Sequence, residues 1–451
     1  MNLLRMSKPK LSGVLLSLCS VFFSCNDITF SKDIAPIIHQ NCTPCHNPNG
    51  GAPFSLLTYH DVKKRAKMVA FVTQSRYMPP WPANPQYSHF INERVLSEND
   101  IQLIQDWYKS GSKSGDTSGL KTPDFPVYQS VLGKPDMVIS LPPIAILPNQ
   151  LDQFLTVKIP YQIDKERIVK AVEFIPGQKK VVHHFNGHYL GFNDLTNPFD
   201  GNRVASIESP NFVNEFAQLK LLNIDQTTPE RIHSAVNYLP GSFGVKYPDG
   251  IGGFVLKKNG AFVGNDIHYG PSSKRLTDSS ILYLYFTDKP IKRNTYELML
   301  GTNGVSPIIP PLVVPPNKIS NHVSEITIYN SISVLTINPH MHLIGKSFKA
   351  FAVKPNGDTI PLIEIPNWRF QWQYFYTFKK PVKIPKGSRI IVNASFDNTS
   401  ANPNNPNKPP QMIAERLENG GASMRTTDEM LQFIITYMNY EDGDENISLE
   451  P

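Results

Sequence analysis

The spacing of apolar residues changes near residue 136. Before it, Phe30, Ile34, Ile37 and Ile38 fall at i, i+4, i+7 and i+8, which predicts a short helix running into Cys42. A second helix is expected from about His60 to Thr73. A third is better marked: Ser97 and Asp100 approximate a capping box ahead of the stripe Ile101, Ile104 and Trp107, and Gly111 stops it. The small, polar, proline-bearing stretch from Ser110 to Pro126 reads as a linker. From Asp136 onward, short segments rich in Val, Ile, Tyr and Phe are separated by Pro and Gly clusters, the pattern of an all-β region. Trp368, Phe370, Trp372, Tyr374, Tyr376 and Phe378 alternate at period two. That predicts one strand with all of these rings on one face, filling a sandwich core. Pro355-Asn356-Gly357-Asp358 lies between two such segments and fits a tight hairpin turn.

Composition agrees with a loop-rich, β-rich chain. Charged residues are 18% against about 25% in an average protein, and the 40 prolines among 451 residues are nearly twice the usual share. The length predicts two to four domains. The expected fold class is multidomain, with a small all-α domain over 28–113, a linker over 114–135, and two all-β jelly-roll-like sandwiches over 136–290 and 291–451. The formal charge of +6 includes Arg5, Lys8 and Lys10, and no acid precedes Cys25, so the remainder carries +3. That is too weak for a nucleic-acid binder.

Those three cations precede the apolar stretch Leu11 to Phe23, too short for a membrane span and suited to an export signal over 1–25. The signal ends in Phe22-Phe23-Ser24-Cys25, which resembles a bacterial lipoprotein cleavage site with Cys25 as the lipidated first residue. Ordinary cleavage nearby, with Cys25 incidental, is the alternative. The expected location is the periplasm or cell envelope, with membrane attachment through the lipid. Cys19, Cys25, Cys42 and Cys45 are too few for a disulfide scaffold.

Cys42-Thr43-Pro44-Cys45-His46 has the Cys-x-x-Cys-His spacing that attaches a c-type haem: two thiols add to the vinyl groups and the next residue offers imidazole to the iron. A zinc half-site or a redox dithiol would need a second cysteine pair or a βαβ setting, and neither is visible. The other axial ligand is expected to be Met78, in Arg76-Tyr77-Met78-Pro79-Pro80-Trp81, whose prolines fix an extended loop. Met68 competes but lies inside a helical pattern. Residues 28–113 thus resemble a small cytochrome c domain, and methionine ligation implies a haem that carries electrons.

Of the twelve histidines, His340-Met341-His342 places two imidazoles on one face of a strand, as a metal site or a structural pair. His183-His184 diverge on a regular strand, so both reach one metal only at a bend or through an inner ring nitrogen. His268 ends another strand. In order along residues 136–440, Val182-His183-His184, Ile267-His268-Tyr269-Gly270, His340-Met341-His342-Leu343-Ile344-Gly345 and Thr427-Asp428-Glu429-Met430 resemble the motifs of the copper type II ascorbate-dependent monooxygenases. The resemblance implies two coppers. His183, His184 and His268 would hold an electron-transferring ion, and His340, His342 and Met430 the oxygen-binding one. Asn338 and Ile434 stand where the peptide-processing members grip a substrate carboxylate, so a glycine-extended peptide is not expected as substrate.

Taken together, the expectation is an exported monooxygenase that uses O2 on a C–H bond of an unidentified small organic molecule. Its haem would be fed by an external donor or an ascorbate-like reductant. A non-enzymatic haem and copper electron carrier, and a zinc hydrolase built on His340 and His342, are the competing readings. His39, His60, His89, His188, His233 and His322 are read as surface or packing residues.

Overall fold

Apolar alternation after residue 136 is realised as stacked antiparallel sheets. The computed structural model describes residues 27–126, 128, 130, 132–149, 152–207, 209–240, 244–418, 421–422 and 425–450; the expected signal and Cys25 lie outside them. In the first unit a sheet ordered Val204–Ser206, Gln153–Gln162, Asn259–Tyr269, Val182–Phe192, Glu230–Tyr238 faces one ordered Met137–Ser140, Ile281–Thr287, Arg167–Ile175, Phe254–Leu256. Phe185, Tyr189, Phe262 and Ile267 of the former share one core with Val172, Phe174, Leu282 and Leu284 of the latter. Because Phe185 and Ile267 point into that core, their neighbours His184 and His268 lie on the outer face.

The second unit repeats the arrangement. A sheet ordered Tyr296–Gly301, Leu431–Asn439, Ile332–Met341, Tyr376–Ile384 packs on one ordered Ile308–Ile309, Ile319–Thr327, Arg389–Asp397, Gly345–Val353, Thr359–Ile365. Ile337, Met341, Tyr376, Phe433 and Ile435 meet Phe348, Ala350, Val392 and Phe396 in its core. Gly357, at φ +90° in the turn between Gly345–Val353 and Thr359–Ile365, adopts the left-handed conformation that glycine favours. The two units meet through outer faces. Ile251 of the first packs with Leu335, Met438 and Leu449 of the second, and the Tyr247 hydroxyl is 2.7 Å from Thr336 Oγ1.

The expected all-α domain over 28–113 is overturned. The protein is 37% strand and 12% helix, and its helices are few and short. In that segment they are a short π-helix at Phe30–Ile34 and α-helices at Ala35–Asn41, Tyr59–Lys63, Ala66–Gln74 and Glu98–Lys109. The second expected helix is broken into two, while the Ser97–Asp100 capping box forms as read. Phe30, Ile38, Val62, Ala70, Ile104 and Trp107 gather into a small core. The chain between the last two helices leaves that core. Pro79, Pro80, Pro82 and Pro85 have no N–H to continue a helix, so this stretch runs extended onto the second sandwich. Ala83 and Phe90 are buried in the sandwich core, Phe90 bridges Phe378, and Ile91 N–H donates to the Thr377 carbonyl at 2.8 Å.

The predicted aromatic strand is also shorter than expected. Only Tyr376 and Phe378 of the six rings lie in a strand; residues 366–375 form a loop. Pairing with Ile332–Met341 ends at Ile337 and Tyr376, where Asn338 Nδ2 donates to the Tyr374 carbonyl at 3.0 Å in place of a backbone rung.

Phe90→Ala tests the shared core. It is expected to cost about 3–5 kcal/mol in denaturant unfolding and to expose residues 79–96 to protease. A cost of a few tenths of a kcal/mol would mean that the segment is not part of the sandwich core.

Candidate metal and haem sites

A β-bulge brings the two adjacent histidines together. Along the pairing of Val182–Phe192 with Asn259–Tyr269, Val182 faces Tyr269 and His184 faces His268, so His183 is the extra residue. Bulges re-aim side chains. Here His183, His184 and His268 converge, with one ring nitrogen from each lying within 4.8 Å of the others. The inner nitrogens Nδ1 of His183 and His184 are 3.5 Å apart. That suits neighbouring ligands on bonds of about 2.0 Å.

The outer nitrogens are held from behind. His184 Nε2 donates to Asp266 Oδ2 at 2.6 Å and His268 Nε2 to Asp152 Oδ1 at 2.9 Å, which leaves Nδ1 of each ring with its lone pair. Carboxylates placed this way orient metal-binding imidazoles and raise their basicity. His268 Nδ1 is buried and has no hydrogen-bond partner. Burial, reinforced by His268 and His184, holds His183 down to about 3, and burial also keeps His268 below its ordinary value. Neutral imidazole is the form a metal needs.

The second cluster occupies the outer face of the facing sheet. His340 and His342 have ring centroids 5.0 Å apart. His342 Nδ1 donates to the Asp428 carbonyl at 3.0 Å, leaving Nε2 with its lone pair, and His340 Nε2 is buried without a partner. Burial, then the neighbouring His342, holds His340 down to about 3. Met430, 1% exposed, follows the last paired rung between Met341 and Leu431 and so comes opposite His342. Glu429 pins this corner. Its carboxyl group accepts N–H bonds from His342 at 2.9 Å, Ile344 at 2.8 Å and Met430 at 3.3 Å. Asn338 and Ile434 pair directly across the same sheet.

Phe370, in the loop 366–375, stands between the clusters. Its ring centroid is 6.3 Å from His183 and 5.9 Å from His342, so the sum of those distances bounds the separation of the two imidazoles.

Cys42, Cys45, His46 and Met78 all line one cavity of about 680 Å³ between the helices and the first sandwich. It is the size of a cofactor pocket. His46 Nδ1 donates to the Phe54 carbonyl at 3.0 Å, which leaves Nε2 with its lone pair. A Cβ at Gly50 would come 2.0 Å from the Cys45 carbonyl oxygen, so only glycine lets the chain fold back over the motif. Burial, with Cys45 beside it, pushes the Cys42 thiol up to about 12, the opposite of what a redox dithiol requires. Met68 reaches the same wall and is 52% exposed.

The sequence pattern gives Asp152, Asp266 and Gln373 no role, carries Glu429 only as part of a motif, and places Phe370 in a sandwich core and not between histidines. Asp266 was within reach, since it lies two residues before His268 on one strand and therefore shares its face. Phe370 carries no comparable signal.

No family model and no curated protein sequence matches the chain. Among solved structures it aligns with the VP2 subviral particle of infectious bursal disease virus at 8% identity, covering 70% of this chain and 84% of that one, with a TM-score of 0.15. The structure of the Gt strain of that virus aligns at 11% identity over 71% of this chain and 77% of its own, with a TM-score of 0.16. Similarity that low carries no argument about fold or function.

Asp266→Asn is expected to weaken copper binding at the first cluster by about 10- to 100-fold while leaving the second unchanged, as read by calorimetric titration of the full chain. Equal affinities in variant and wild type would mean that Asp266 does not orient a ligand.

Proposed function

We propose that this protein is an exported copper-dependent monooxygenase, which inserts one atom of O2 into a C–H bond of a small organic substrate and draws electrons through a covalently attached haem. The observation that carries the reading is the apposition of two imidazole clusters on facing sheets, each with a buried ring nitrogen left unpartnered. When bound, copper and haem supply the one-electron steps by which one oxygen atom enters the product and the other leaves as water.

The side chains hold and orient. His183, His184 and His268 present three imidazoles, which suit both copper oxidation states, and Asp266 and Asp152 fix the tautomers of His184 and His268. His340, His342 and Met430 form a mixed imidazole and thioether set that favours Cu(I), the state needed before oxygen is met. Glu429 ties the backbone of His342 to that of Met430, which keeps the two ligand segments in register. Cys42, Cys45, His46 and Met78, which line one cavity, would hold the haem. Asn338 donates to the Tyr374 carbonyl and faces Ile434, so this pair offers no grip for a substrate carboxylate. Lipid on Cys25 would keep the enzyme at a membrane of the cell envelope, within reach of an external donor or an ascorbate-like reductant.

The test is a metal count on purified protein followed by oxygen uptake with reductant and candidate substrates. Two coppers and one haem iron per chain are expected. His340→Ala should retain haem and one copper and lose at least about 100-fold in substrate-coupled oxygen uptake. Zinc in place of copper, or copper without substrate-coupled uptake, would contradict the reading.

A further inference from the structure

The loop between the strands Thr359–Ile365 and Tyr376–Ile384 reaches every site described above. Trp372 lines the cavity that holds Cys45, His46 and Met78. Gln373, the next residue, adjoins His340, and its Nε2 donates to the Phe370 carbonyl at 2.8 Å. Phe370 stands between His183 and His342. Trp368 Nε1 donates to the His342 carbonyl at 3.2 Å. The loop is also clamped to the chain beside Met78: Arg369 Nη1 donates to the Tyr77 carbonyl at 3.3 Å and its guanidinium lies 4.4 Å over the Tyr77 ring. On its other side Trp372 stacks with Tyr374, 6.2 Å between centroids, and Tyr374 stacks with Trp81 at 5.9 Å.

We propose that this loop is the electron path from the haem to the histidine clusters, with Trp372 as the relay at the cavity wall and Phe370 as the ring between the clusters. The inference rests on the proposed function and goes beyond it by naming the residues that connect its parts. Electron tunnelling weakens steeply across open space and less steeply through bonds and packed rings. The path from Trp372 through Gln373 to His340 is covalent except for one contact, and Phe370 fills the gap to His183. In the step itself one electron leaves ferrous haem iron, which becomes ferric, and one cupric ion becomes cuprous. No proton or bond is exchanged, and Trp372 supplies electronic overlap without being oxidised. A rival route exists, because Pro176 and Lys179 also line the cavity and lie shortly before His183 in the chain. That route predicts no effect of Trp372.

The experiment uses the full chain loaded with haem and copper, without oxygen or substrate. The haem is reduced with a substoichiometric pulse of dithionite, and two signals are followed: reoxidation in the haem absorbance and loss of the cupric EPR signal. Trp372→Leu should slow both by about tenfold or more, and Trp372→Phe by no more than about threefold, with haem spectrum and copper count unchanged. Gln373→Ala, which leaves the cavity wall intact and removes the contact with His340, should likewise slow both by about tenfold, and it decides the matter if Trp372→Leu fails to retain haem, whereas Phe370→Leu should leave haem reoxidation unchanged and slow only the spread of the electron to the other cluster. Wild-type rates in Trp372→Leu, or in Gln373→Ala where that variant decides, would overturn the path and leave the proposed function standing. Failure of the wild-type protein to pass electrons with both metals present would overturn both.

Discussion

A buried ring nitrogen with no hydrogen-bond partner costs about 1–3 kcal/mol, and this fold keeps such nitrogens on His268 and His340, in two clusters that face each other. Most buried polar groups in folded proteins are satisfied. Here the partners are arranged to leave particular atoms bare: Asp152 takes the far side of His268, Asp266 that of His184, and the Asp428 carbonyl that of His342. A metal ion that accepts the bare lone pairs would offset the cost. The rest of the molecule can be understood as what is needed to keep those rings in place without a metal doing all the holding.

The scaffold meets that need by packing. Among the described residues the cysteines are free, so each sandwich is held by its own apolar core. Both clusters sit on outer sheet faces, where side chains would ordinarily be wet; His268 and His342 are buried and His183, His184 and His340 half-buried, with Phe370 of the loop 366–375 packed against both clusters. The helical segment adds a third contact. Its cavity opens against the end of Arg167–Ile175 and the turn before His183, and its extended stretch is locked into the second sandwich by Phe90. The cysteine and histidine motif is thereby fixed relative to both clusters through packed protein, whatever the linker after it does.

Much of this was legible from local pattern. The Ser97–Asp100 cap, the helix leading into Cys42, the alternation that puts Ile267 in the core and His268 outside, and the Gly357 turn all follow from interactions between residues a few positions apart. What was misread depended on distant partners. Prolines 79, 80, 82 and 85 mark the end of a helix, but only the presence of Phe378 and Thr377 decides that Phe90 and Ile91 join a sheet. The period-two run of aromatics satisfies a strand pattern from Trp368 onward, yet the Asn338 side chain ends the ladder at Tyr376. The bulge at His183 has the same character. Sequence shows that two adjacent histidines need a bend to share a metal, while the bend itself is set by the register against Asn259–Tyr269. Of the carboxylates behind the rings, Asp266 shares a strand face with His268 and is legible from that spacing, while Asp152 comes from a distant segment with no fixed spacing to its ring.

The central claim is that the bare nitrogens are copper sites, and anomalous X-ray scattering at the copper edge from crystals of the copper-loaded chain tests it most directly. The account predicts two peaks: one bonded to Nδ1 of His184 and His268 together with His183, and one between His340, His342 and Met430. Copper elsewhere on the molecule, or either cluster left empty while its imidazoles keep the positions described, would contradict it.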